Sequence, residues 1–204
     1  MKEKTGFGVP HVLLIVYIVE FTILAFNPHA RDVWIAENLP IVLIVLGLVF
    51  TYRIFRFSDT AYLFMFVLIF LHTIGGHFTF ERVPFGFVTD LFGFERNHYD
   101  RMAHFSVGFY AFAACELVER NGWSRSRWLT GLFGVFFIFT VAAVYEIIEW
   151  LFAVTADPDA GIAFLGVQGD VWDAQKDMLA DGLGSITATL FYGIQRWWWK
   201  NKEA

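Results

Sequence analysis

Apolar residues fall in six long runs along the chain: Val9 to Phe26, Leu39 to Tyr52, Thr60 to Ile74, Ala103 to Leu117, Trp128 to Phe152 and Leu179 to Trp199. A helix spans the hydrocarbon of a bilayer with about 20 mainly apolar residues and needs at least ~17. The second, third and fourth runs are short by that measure, so their helices extend into flanking residues such as Ala36, Asp59 and Tyr99. Between the runs lie a Pro/Asn turn at Asn27 to Pro40, a basic turn at Arg53 to Asp59 and a polar loop from Phe78 to Asn97. A short basic loop at Glu119 to Arg127 and an acidic loop from Thr155 to Gln168 complete the connections. The pattern predicts an all-α polytopic bundle of about six transmembrane helices, forming a single integral membrane domain over residues 1–204.

Composition agrees, with 57% hydrophobic residues and only 17% charged, against about half and a quarter for a soluble domain. A net charge of −5 with no basic patch sets nucleic acid aside. The single cysteine, Cys115, lies inside an apolar run and reads as a buried structural thiol. The first run lacks a small-residue cleavage site and reads as a retained helix.

Charge distribution also sets the orientation, because cytoplasmic loops carry the excess of lysine and arginine. With the N-terminus inside, the inner segments hold Lys2, Lys4, Arg53, Arg56, Arg120, Arg125, Arg127, Arg196, Lys200 and Lys202. The outer segments hold Arg31, Arg82, Arg96, Arg101 and Lys176. Both termini are therefore expected in the cytoplasm, with Trp197 to Trp199 beside Lys200 as an interfacial anchor.

This topology gathers the remaining polar residues at the outer face. His72 and His77 end the third helix; His98, Asp100 and His104 begin the fourth; Glu146 and Glu149 close the fifth; Asp170, Asp173, Asp177 and Asp181 open the sixth. Asp100 and His104 share a helix face, as do Glu146 and Glu149, and the four aspartates step along one stripe. Like charges so placed repel, so a cation, arginines such as Arg101 or Arg82, or protonation must offset them. Mixed imidazole and carboxylate donors suit zinc, manganese or iron, and facing helices of a bundle can build such sites from carboxylates. Gly75-Gly76 can break the third helix and turn His77 inward.

Each element also has a plainer reading. Asp170, Asp173 and Asp100 suit helix caps and the helix dipole, whereas Asp177 and Asp181 lie too deep for capping. His72 fits a hydrogen-bonded interfacial histidine, and Asp100 can orient His104 as a supporting carboxylate does. Glu146 and Glu149 fit interfacial glutamates beside an aromatic anchor. Glu20, Glu116, His11 and His29 read as solvated or structural.

At His72-Thr-Ile-Gly-Gly-His77, Asn97-His-Tyr-Asp-Arg-Met-Ala-His-Phe105, Tyr145-Glu-Ile-Ile-Glu-Trp150 and Gln168-Gly-Asp-Val-Trp-Asp-Ala-Gln-Lys-Asp-Met178, the sequence resembles the YjdF-like family of bacterial inner-membrane proteins. That resemblance covers nearly the whole chain and implies a multi-pass protein of a prokaryotic plasma membrane, without an activity to carry over. The residues themselves point to a divalent metal, zinc first. His72, His77, His98, Asp100, His104, Asp170, Asp173, Asp177 and Asp181 are the candidate ligands, and Glu146 or Glu149 the candidate general base. The expected chemistry is hydrolysis of a lipid or lipid-linked substrate at the outer face. Alternatives are a proton- or cation-coupled transporter, haem held by His72 and His104, and a structural subunit whose polar cluster locks helix packing.

Overall fold

The computed structural model describes residues 6–155, 165 and 168–202, and these form eight α-helices with no strand among the described residues. Helices α1 (Val9–Leu24), α2 (Arg31–Thr51) and α3 (Asp59–Phe78) make one group, with α3 packed on both others. A second group comprises α5 (Tyr99–Val107), α6 (Tyr110–Arg120), α7 (Arg127–Thr155) and α8 (Asp173–Lys202), with α8 against the other three. Contacts of α3 with α5 and α6 join the groups, and the short α4 (Gly86–Phe92) lies in the connection before α5. Most of the acidic connection from Thr155 to Gln168 lies outside the described residues.

Among the described residues three helices, α2, α3 and α7, are long and apolar enough to cross a membrane, and α1 is a shorter apolar helix. The distribution of side chains is that of a protein solvated by lipid. Phe50, Phe136 and Leu190 are exposed, whereas Asp181 and Ser185 are almost wholly buried. Polar groups inside and hydrocarbon outside is the arrangement that avoids placing charge in lipid.

The helices depart from the apolar runs in three places. The segment Asn27 to Pro40 is not a turn throughout, since α2 begins at Arg31 and carries Pro40 in its interior. Proline costs a helix one backbone hydrogen bond and a steric clash, but Val33, Glu37 and Ile41 sit at four-residue spacing and bury one face of α2. Packing along that stripe outweighs the local penalty.

The fourth run is split, because α5 ends at Val107 and α6 starts at Tyr110. Tight bonds from Phe109 N to Ser106 O and from Ala111 N to Gly108 O carry the chain through the break. The polar loop contains α4, whose Phe87, Leu91 and Phe92 are exposed, an apolar face suited to the membrane interface.

The end of the bundle away from the acidic stripe is satisfied internally. Glu116 accepts hydrogen bonds from Ser58 N and Ser58 Oγ at 2.8 and 2.7 Å, while Ser58 Oγ accepts from Ala61 N and caps α3. Glu119 takes a fork from Arg196 Nε and Nη2 at 3.1 and 2.6 Å and a hydroxyl from Tyr192. The plainer reading of Glu116 as a structural residue is the one its contacts fit.

Candidate functional site

The site forms where α5 crosses α8. A Cβ on Gly184 would lie 1.9 Å from the Phe105 carbonyl oxygen, and one on Gly108 would lie 2.3 Å from Ser185 N. The two backbones thus touch, and only glycine permits that approach. The polar stripes one to three turns away are thereby brought face to face: Asp100, Arg101 and His104 from α5, and Asp173, Asp177 and Asp181 from α8. A reciprocal pair between Asn97 and Gln168 ties the entries of these helices together, each amide bond being 3.0 Å.

His104 lies at the centre. Its Nδ1 is 3.3 Å from both carboxylate oxygens of Asp181. Its Nε2 is 3.6 Å from Asp100 Oδ1 and 3.7 Å from Asp177 Oδ1. A proton on Nδ1 donated to Asp181 leaves the Nε2 lone pair directed towards the other two carboxylates, the relation in which a carboxylate orients a metal-binding imidazole. Donor atoms of Asp100, His104 and Asp177 all lie within 4.8 Å of one another.

Arginine offsets the remaining acids. Arg101 bridges Asp173 and Asp177 with its two terminal nitrogens. Arg96 Nη1 is 2.7 Å from Asp173. Asp170 stands 3.6 Å from both arginines and pairs with Lys176 Nζ at 2.6 Å. The hydrogen bond from Lys176 and that from Trp172 N–H hold the Asp170 carboxyl below the usual carboxylate range. Nearby, burial and then the charges of Arg96 and Arg101 push the His98 imidazole below its ordinary value.

A cavity of about 190 Å³ opens beside this cluster. Asp100, His104 and Asp181 line one part of it, and Glu37, His72, Tyr145 and Glu149 line another. Glu37 Oε2 lies 3.1 Å from His72 Nε2 and accepts the Tyr145 hydroxyl at 3.3 Å. The rest of the lining is hydrocarbon, including Ile41, Ile44, Leu68, Val107 and Val141.

The nominated residues therefore divide. Asp100, His104 and Asp177 converge, Asp181 supports His104, and His72 and Glu149 share the cavity with them. His77 is directed elsewhere, with Nδ1 2.7 Å from the Leu24 carbonyl and its own carbonyl accepting from His29 N, so it fastens the α1–α2 corner. Gly75-Gly76 does not break α3, which continues to Phe78. Gly76 instead makes room for Asn38, whose Nδ2 would lie 2.8 Å from an added Cβ.

His98 packs its ring on Phe94. Asp170 and Asp173 are engaged with lysine and arginine. Glu146 has one buried carboxylate oxygen with no partner among the described residues and does not line the cavity. Residue patterns missed Glu37 and Tyr145. A glutamate and an asparagine immediately before an apolar run were the available signal, masked by the reading of that stretch as a turn.

Comparison with known proteins places the chain in a family. Residues 9–197 match the family described as "Predicted membrane protein (DUF2238)". "Inner membrane protein YjdF" of Escherichia coli (strain K12) is 35% identical over 171 residues, covering 81% of this chain and 79% of that protein. No solved structure matches. With its apolar helices and lipid-facing surface, this chain is a multi-pass inner-membrane protein, and it belongs to the DUF2238 family of predicted membrane proteins.

Proposed function

We propose that the chain is a metal-dependent membrane hydrolase acting on a lipid or lipid-linked substrate at the outer face, with a divalent ion, zinc first, held by Asp100, His104 and Asp177. The observation that carries this reading is the His104 imidazole, supported at Nδ1 by Asp181 and presenting Nε2 to two carboxylates. One imidazole and two carboxylates are a donor set that zinc and the other divalent transition metals accept. When bound, such an ion polarises a carbonyl or phosphoryl oxygen and makes a bound water acidic.

The protein's own groups would do the rest. Asp181 fixes the imidazole, Arg96 and Arg101 balance the surplus aspartates, Glu149 is available in the cavity to take up a proton, and the apolar lining accepts a lipid tail. Six spans, with α5 and α6 counted as one crossing and both termini cytoplasmic, agree with ten basic residues inside against five outside.

One observation favours a second reading, a purely structural cluster: Arg101 already sits on Asp173 and Asp177. The Asp177→Asn variant separates the two. As a ligand, its loss lowers the metal content of the purified protein while the fold persists. As half of an ion pair only, its loss leaves Arg101 less compensated and destabilises by roughly 3 to 5 kcal/mol with no metal to lose.

A further inference from the structure

Among the described residues the lining of the cavity holds neither lysine nor arginine and includes four carboxylic acids. Asp181 is committed to His104, and Asp100 belongs to the metal donor set. Glu37 and Glu149 remain. Glu37 is 2% exposed and lies on the buried face of α2 with Val33, Asn38 and Ile41. Its Oε2 accepts the Tyr145 hydroxyl and lies 3.1 Å from His72 Nε2, which is also 3.1 Å from the Glu37 backbone carbonyl oxygen. Glu149 makes no hydrogen bond or ion pair among the described residues, yet lines the same cavity. Acids at membrane depth normally face a partner or a ligand path.

A ligand that satisfies this lining must donate several hydrogen bonds, carry positive charge at one end and be hydrocarbon at the other. An alkylammonium head has three donors and no acceptor. A phosphate or carboxylate head brings negative charge and mostly acceptors, to a wall whose two donors at that end, His72 and Tyr145, are already engaged by Glu37. An apolar cavity of ~150 Å³ takes up benzene, so about 190 Å³ accommodates the head and its first methylenes.

We propose that this cavity binds the ammonium head of a lipid-like amine, with the head at Glu37 and Glu149 and the chain along Ile41, Ile44 and Leu68. The inference deepens the hydrolase reading and rests on it for the claim that this amphiphile is the substrate; the charge pattern itself does not require the metal.

The test uses the purified full-length protein in a non-ionic detergent, with the unfolding midpoint followed against dodecylammonium, dodecyl phosphate and butylammonium. Dodecylammonium should raise the midpoint saturably, with an apparent affinity at least tenfold tighter than either other probe. Glu37→Gln and Glu149→Gln should each weaken that affinity at least tenfold, and Gly193→Ala, which faces open space, should leave it within about threefold.

Equal binding of dodecyl phosphate, or undiminished binding by both glutamine variants, overturns the proposal. Butylammonium binding as tightly as dodecylammonium overturns the amphiphile in favour of a free amine. Should Glu37→Gln fail to fold, Glu149→Gln, at a partly exposed position, decides alone. Amine binding that depends on both glutamates in a protein that holds no metal leaves this inference standing and removes the hydrolase; metal binding without amine binding does the reverse.

Discussion

At the scale of single residues, Arg101 and Glu37 show opposite solutions to charge at membrane depth. Arg101 balances Asp173 and Asp177, which are 4% and 3% exposed, so Arg101→Met would leave two carboxylates facing each other without it. Denaturant unfolding in detergent should register a loss of about 3 to 5 kcal/mol, smaller when the protein is saturated with zinc, because the ion takes over part of the compensation. Asp177 and Asp181 were legible from sequence because no capping role reaches two and three turns into a helix. Glu37 was not, since the pattern around it suggested a turn, and the partner that explains it, His72, comes from another helix. His77 shows the reverse failure. Spacing places a residue on a helix, but its direction towards the Leu24 carbonyl depends on where α1 ends.

At the scale of elements, the apolar runs located the helices because burial in lipid and helical periodicity leave little freedom: Thr60 to Ile74 became Asp59–Phe78, and Trp128 to Phe152 became Arg127–Thr155. The break between α5 and α6 was hidden, since Gly108 lies inside a continuous apolar run. Its meaning comes from Gly184, far along the chain, whose missing Cβ admits the Phe105 carbonyl. That crossing sets the register of Asp100 and His104 against Asp177 and Asp181. Gly184→Ala should therefore lower the unfolding midpoint, at a cost of at least roughly 1 to 3 kcal/mol for overpacking, and disturb metal binding with it. Gly193→Ala, on the same helix but facing open space, should change neither, and thermal melts of the two variants side by side check the contrast.

At the scale of the whole molecule, a site open to the outer face requires the acidic crossing of α5 and α8 to lie on that side. Cysteines placed at Pro84 or Pro158, the latter outside the described residues, should react with an impermeant thiol reagent added from the outer side, and one at Gly122 should not. Cys115, fully buried, gives no background, and the opposite labelling pattern would invert the topology and place the site at the cytoplasmic face. Zinc K-edge X-ray absorption on the purified zinc-loaded protein tests whether an ion sits at Asp100, His104 and Asp177. About one zinc per chain is expected, with a single imidazole nitrogen and oxygen donors at about 2.0 to 2.2 Å and the imidazole signal lost in His104→Ala. Zinc absent at stoichiometric level, or a shell without imidazole that His104→Ala leaves unchanged, would contradict it.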